Sequence, residues 1–107
     1  MSKYQTKIIK QYKDDGYGVI VISKTNKNGI ADLLVAKWNT TPTFIECKEK
    51  NDTVKPLQIV QNRILADEMG FDFIIMKDGV GKIDPKEFDL KVTDLFCTIY
   101  NKKLIIN

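Results

Sequence analysis

The first half of the chain alternates between one helical pattern and three short apolar runs. Apolar side chains at helical spacing, followed by a polar stop with a glycine, predict a helix over residues 3–15. The run 17–23 is short and rich in β-branched residues, which favours a buried strand. Residues 30–38 and 43–48 have the pattern of two further strands, and the turn 39–42 between them predicts a hairpin.

The second half begins with another helix, predicted over 56–69. Proline suits its first position and Gly70 can end it. We expect Gln58 and Gln61 to face inward, because they fall within or beside an apolar arc. Five residues share that arc on a helical wheel: Leu57, Val60, Ile64, Leu65 and Met69.

The remaining pattern completes an α/β domain. Residues 71–76 predict a strand and 77–81 a turn. Beyond them we expect a short extended piece and an amphipathic C-terminal helix bearing Val92, Leu95, Phe96, Ile99 and Tyr100. Helix, three strands, helix and strand predict a mixed central sheet that helices cover. We expect one domain over all 107 residues, with its core at 3–76 and a C-terminal extension at 77–107.

Composition says more about the possible catalytic chemistry than about the binding partner. The net charge of +3 permits a nucleic-acid partner but does not by itself argue for one. The absence of histidine excludes Ser-His and Cys-His hydrolases and nucleases with a catalytic histidine. Cys47 and Cys97 have neither disulfide-framework nor zinc-site spacing, so we expect reduced buried thiols. No apolar run approaches membrane-spanning length, and we expect a soluble, cytoplasmic protein.

The predicted hairpin carries the candidate chemistry. Side chains alternate along a strand, so Glu46 and Lys48 share one face. Asp32 stands in an apolar run, where a carboxylate without a partner would be costly to bury. If the hairpin register brings Asp32 onto the face of Glu46, the two carboxylates converge on one cation. The hairpin therefore predicts a metal-assisted hydrolytic site.

Magnesium suits such a site because it prefers oxygen ligands and keeps several waters. The predicted ligands are Asp32, Glu46 and the backbone carbonyl of Cys47, beside water and substrate phosphate. A cation there can lower the pKa of a bound water and neutralise charge on the phosphoryl oxygens. Lys48 would hold or deprotonate that water. Gln58 could hydrogen-bond the water, the lysine or a phosphate oxygen.

Each candidate also has a plain structural interpretation. Glu46 and Lys48 could form an exposed ion pair of little energetic value. Asp32 could face solvent or cap a turn, and Gln61 could pack under a polar rim. Four loop lysines could contact phosphates or simply be solvated: Lys24, Lys27, Lys50 and Lys55.

Residues 29–32, 44–48 and 56–58 resemble, in order and spacing, the successive motifs of the VRR-NUC family of PD-(D/E)xK nucleases. The resemblance covers roughly residues 5–76. It implies a restriction-endonuclease-like αβββαβ core and a metal-dependent phosphodiesterase. The matched residues are two metal-binding acids, the catalytic lysine and the glutamine of the following helix: Asp32, Glu46, Lys48 and Gln58.

Small single-domain members of this kind look phage-like and are similar to archaeal Holliday junction resolvases, which act as homodimers on branched DNA. Three positions depart from the family pattern. Ala31 replaces a proline, and Lys55 stands where a helix-capping serine is common. The first helix offers only Gln5 or Gln11 where the family often has a glutamate, which could weaken metal binding or reduce activity.

These observations predict a DNA endonuclease that uses Mg²⁺, with Mn²⁺ as a substitute. Branched DNA as the substrate is a hypothesis from the resemblance. The amphipathic C-terminal stretch either joins two chains in a homodimer or packs onto its own domain. Two rival functions stay open: a nucleic-acid-binding module that kept the nuclease fold without turnover, and a structural protein without nucleic-acid affinity.

Overall fold

The computed structural model describes residues 1–23, 30–52 and 55–85. Over these ranges the element order is helix, three strands, helix and two strands, which confirms the predicted α/β core and adds a strand. The predicted C-terminal helix lies outside the described residues, as do Lys24 and Lys27.

Helix α1 spans Lys3–Asp14, close to its predicted bounds. Ser2 precedes it, and the Ser2 side-chain oxygen accepts a hydrogen bond from the backbone N–H of Gln5 at 3.0 Å. This cap satisfies one of the amides that the first helical turn leaves unpaired. Tyr4 and Ile8 lie one helical turn apart and are both buried, so they fix the helix against the sheet.

Five strands form one mixed sheet, in the spatial order β1-β2-β3-β4-β5. They are β1 Gly18–Val21, β2 Leu33–Ala36, β3 Thr43–Lys48, β4 Asp72–Lys77 and β5 Gly81–Ile83. The β3 and β4 strands are parallel, and the other neighbouring pairs are antiparallel. A parallel pair needs a crossover connection, and helix α2, Pro56–Met69, supplies it. The predicted mixed sheet is thus confirmed, and the short extended piece expected after the turn is strand β5.

The second predicted strand is shorter than expected, because β2 begins only at Leu33. Asp32 lies directly before this strand, and its backbone still forms hydrogen bonds with the chain segments on both sides of it. Ile22 donates its N–H to the Asp32 carbonyl at 2.8 Å, and the Asp32 N–H donates to the Ile45 carbonyl at 3.0 Å. The backbone of Asp32 is therefore held as firmly as that of a strand residue.

Helix α2 has its predicted bounds and ends at Gly70, whose φ of 70° is the left-handed conformation that glycine favours. The predicted apolar arc is confirmed only in part, because Val60 and Leu65 pack against the core. Ile64 and Met69 are 53% and 49% exposed. Among residues 58–69 of this helix, the buried positions are Ile59, Asn62 and Ala66. Apolar residues occur on several sides of α2. A helical wheel of the sequence was therefore not sufficient to define the whole side that packs on the sheet.

Of the two described helices, α1 covers one face of the sheet and α2 covers the other. On the α1 face the buried residues are Tyr4, Ile8, Leu33, Val35, Ile45 and Ile74. On the α2 face they are Ala31, Phe44, Ile59, Ala66, Phe73, Ile75 and Ile83. Over the described ranges, no helix combines the length and apolar character that crossing a membrane requires.

Candidate active site

Strand β3 presents two of the candidate residues on the face that α2 covers. Phe44 belongs to the core on this face and Ile45 to the core on the other, so the strand alternates as expected. Glu46 is on the α2 face and only 4% exposed. Lys48 follows two residues later, and its charge acts on Glu46, where it lowers the carboxyl pKa. Burial of Glu46 rules out the interpretation as an exposed ion pair.

The hairpin register brings Asp32 next to Glu46 on the α2 face of the sheet. Leu33 is paired with Ile45, so the preceding residue, Asp32, comes opposite Glu46. One carboxylate oxygen of Asp32 accepts a hydrogen bond from the backbone N–H of Cys47 at 2.8 Å. The Asp32 carboxyl group lies close enough to Glu46 for its hydrogen-bonding capacity and charge to raise the Glu46 pKa. The interpretation of Asp32 as a solvent-facing or turn-capping residue is therefore wrong.

The two carboxyl groups perturb each other strongly. Burial, and then the hydrogen bond and charge of Asp32, raise the pKa of Glu46 to about 9, against a smaller opposing effect of Lys48. At neutral pH Glu46 therefore carries a proton when no cation is bound. Two carboxylates in contact repel each other unless a proton or a cation neutralises part of the charge. The pair is thus a place where a cation can replace a proton.

Gln58 extends this cluster from helix α2. Its side-chain nitrogen donates a hydrogen bond to a carboxyl oxygen of Glu46, so the glutamine predicted to enter the site lies in it. Gln61 is exposed, and the prediction that it faces inward is wrong. The Cys47 thiol is free and half-buried, and burial together with Asp32 and Glu46 raises its pKa to about 12. The thiol is therefore neutral, and the backbone carbonyl of Cys47 stays a predicted ligand.

The structure describes two of the four lysines that were predicted to contact phosphates. Lys50 and Lys55 are exposed on the connection between β3 and α2, which directly follows Lys48. Lys24 and Lys27 lie outside the described residues. Phosphate contacts by these four lysines stay a prediction.

Lys77 at the end of β4 was not singled out in the sequence. It is paired with Lys48 across the parallel strands and is only 8% exposed. Its ammonium donates hydrogen bonds to three backbone carbonyls of the loop after β3: Glu49 at 3.2 Å, Lys50 at 3.2 Å and Asp52 at 2.6 Å. The only signal in the sequence is a charged residue directly after an apolar strand, which is a common place for a solvated lysine. In the structure Lys77 holds the loop that begins next to Lys48.

Replacing Lys77 by methionine is expected to lower the free energy of unfolding by about 2–3 kcal/mol, because three carbonyls lose a charged donor. Urea unfolding measures the loss, and limited proteolysis should show earlier cleavage within 49–52. Lys82→Met is the control, since Lys82 is exposed on the neighbouring strand β5. Equal stability of the two variants would contradict this account of Lys77.

Comparison with known proteins gives a match in structure and none in sequence. No protein-family profile matches the chain, and no curated protein sequence matches it. Among solved structures it is similar to Hjc, a Holliday junction resolvase from the archaeal hyperthermophile Archaeoglobus fulgidus, with a TM-score of 0.60. The similarity covers 86% of this chain and 96% of the resolvase chain at 12% sequence identity. The chain has a restriction-endonuclease-like fold. Membership of the VRR-NUC family stays a prediction.

In this restriction-endonuclease-like fold the candidate site lies at the carboxyl end of β3, beside the first turns of α2. Helix α1 adds no carboxylate to it: Tyr4 and Ile8 face the sheet, and Gln11 is exposed. Nowhere in 1–23, 30–52 or 55–85 do three or more Asp, Glu, His or Cys side chains form a metal-binding group. An ion at Asp32 and Glu46 would therefore need backbone, water or substrate oxygens as well, a set that suits Mg²⁺.

Proposed function

We propose that this protein is a metal-dependent endonuclease that hydrolyses DNA phosphodiester bonds. One observation carries the proposal: Asp32 and Glu46 meet on one face of the hairpin, next to Lys48. The chemistry of the donor set fits a small divalent cation, because two hard carboxylates converge and their mutual repulsion is relieved by positive charge. Asp32, Glu46 and the carbonyl of Cys47 would hold Mg²⁺, for which Mn²⁺ can substitute.

At the site formed by Asp32, Glu46 and the Cys47 carbonyl, a cation would lower the pKa of a water and neutralise charge at the phosphoryl group. The protein's own residues do the rest. Lys48 lies two residues beyond Glu46 on the same face. As an ammonium it holds the attacking water and its charge stabilises the negative charge of the transition state; as a neutral amine it would instead take the proton of the water. Gln58 orients the Glu46 carboxyl group through its side-chain amide and so keeps both oxygens in position.

DNA is the proposed substrate, and branched DNA its proposed form, because the similar solved structure is a Holliday junction resolvase. The net charge of +3 is compatible with a polyanionic partner. We extend the proposal to a homodimer acting on the two halves of a junction. A dimeric mass by light scattering supports this extension, and a monomeric mass at working concentration contradicts it.

The test is cleavage of a supercoiled plasmid and of a labelled four-way junction in Mg²⁺, Mn²⁺ or EDTA. We expect cutting with either metal and none with EDTA, since the carboxylate pair needs a cation to act. Faster cutting of the junction than of linear duplex supports the branched substrate, and equal rates contradict it. Metal-independent DNA binding without cutting would instead favour a nucleic-acid-binding module without turnover. The observation that favours this rival is a site with two carboxylates and no acidic residue from the first helix.

A further inference from the structure

Asn62 is a buried polar residue in the middle of the packed side of α2, with 2% of its surface exposed. Its side-chain oxygen accepts a hydrogen bond from the backbone N–H of Ala31 at 2.8 Å. Its side-chain nitrogen donates to the backbone carbonyl of Gln58 at 2.8 Å. Ala31 directly precedes Asp32, and Gln58 contacts Glu46. One side chain thus joins the segment that carries Asp32 to the helical turn that carries Gln58, the partner of Glu46.

The two hydrogen bonds leave Asn62 a single workable orientation. With the amide reversed, its nitrogen would face the N–H of Ala31 and its oxygen would face the carbonyl of Gln58. Either mismatch would leave a buried polar group unpaired, which is unfavourable in an apolar core. The amide therefore keeps the strand residue and the helix residue at one separation.

Packing alone does not explain an asparagine at this position. Ile59 and Ala66, about one turn to either side, are buried apolar residues that already fix α2 on the sheet. An apolar side chain at position 62 would continue that face without burying an amide. The amide is instead used to tie α2 to the residue before Asp32, a link that the apolar neighbours cannot make.

We propose that Asn62 is a positioning residue for the metal site. It sets the distance between the Asp32 segment and the Gln58 turn, so that the two carboxyl groups meet in a geometry that binds a divalent cation. The inference rests on the proposed function, because it gives Asn62 a role only if Asp32 and Glu46 bind a metal. Both hydrogen bonds of Asn62 reach the backbone of neighbouring residues, so Asn62 acts on the carboxyl groups through these neighbours.

The experiment compares Mn²⁺ dissociation constants, measured by calorimetry, of the wild type, Asn62→Leu and Asn62→Ala. Leucine restores most of the side-chain volume without the hydrogen bonds, whereas alanine loses both. We expect both variants to bind Mn²⁺ about 10-fold more weakly or worse, as for other residues that orient metal ligands. With DNA, kcat should fall by a similar factor while KM changes little.

Ala66→Gly is the matched control, since Ala66 is buried on the same side of α2 but lies near its far end. It weakens the helix but removes neither hydrogen bond of Asn62, and its Mn²⁺ affinity should stay within about 2-fold of the wild type. If Asn62→Leu binds Mn²⁺ like the wild type, Asn62 only packs and the inference is wrong. Should the leucine variant not fold, an Asn62→Ala variant with the Mn²⁺ affinity of Ala66→Gly would overturn the inference in the same way. A wild type that binds no Mn²⁺ overturns the proposed function itself.

Discussion

Lys48→Met is expected to lower the rate of metal-dependent plasmid cleavage by about 10³-fold while the protein stays folded. Methionine keeps the unbranched shape of the side chain but removes the ammonium group that neighbours Glu46. A group that holds the attacking water and stabilises transition-state charge commonly contributes a factor of this size. Single-turnover cleavage at saturating Mg²⁺ measures the effect on the chemical step alone.

Asp32→Asn gives the complementary result. Its side-chain oxygen can still accept the hydrogen bond from the Cys47 N–H, but the carboxylate charge is gone. We expect loss of both cleavage and Mn²⁺ binding, whereas Lys48→Met should lose cleavage and keep Mn²⁺. Lys10→Met is the control for removing a lysine, because Lys10 is exposed on α1 in an ion pair with Asp14. The proposed site would be wrong if Lys48→Met kept more than about a tenth of the wild-type rate.

Glu46→Gln is expected to stabilise the metal-free protein at alkaline pH. The folded-state pKa of Glu46 is raised from 4.5 to about 9, so the folded protein holds this proton more tightly than the unfolded chain does. The resulting stability is fully present below the unfolded pKa and is lost as pH rises through about 9. Glutamine cannot ionise, still accepts the hydrogen bond from Gln58 and can donate one to Asp32.

Urea unfolding in EDTA at about pH 5 and about pH 9 measures the difference. The two proteins should have similar stability at the lower pH, and the variant should be more stable at the higher pH by a few kcal/mol, an order of magnitude from linkage. Glu68→Gln, an exposed substitution on α2, is the control and should not change the pH dependence. Parallel stability curves for wild type and Glu46→Gln would show that Glu46 ionises normally in the folded protein.

The proton on Glu46 should also make metal binding depend on pH. A cation at Asp32 and Glu46 must displace the Glu46 proton, so below about pH 9 Mn²⁺ binding should release about one proton. Its affinity should then rise by up to about 10-fold per pH unit. Calorimetry in buffers of different ionisation enthalpy counts the released protons. Binding that is independent of pH would mean that Glu46 is not a ligand.

The local pattern of the sequence was sufficient to predict the helices and strands of the core and half of the candidate site. Helix α2 has its predicted bounds, because proline at its start and Gly70 at its end are strong backbone signals. Glu46 and Lys48 share a face because alternation is a property of any strand. These features depend on residues a few positions apart, so they can be predicted without knowing the rest of the molecule.

Only the tertiary structure decided which distant groups meet. The hairpin register that sets Asp32 beside Glu46 was an assumption in the sequence, since a shift of one residue would have put Asp32 on the opposite face. The packed side of α2 was predicted only in part, and the burial of Asn62 was missed. Lys77 acquired its role from carbonyls 25 to 28 residues away. Burial, register and long-range hydrogen bonds depend on how the elements pack, and no local pattern contains that information.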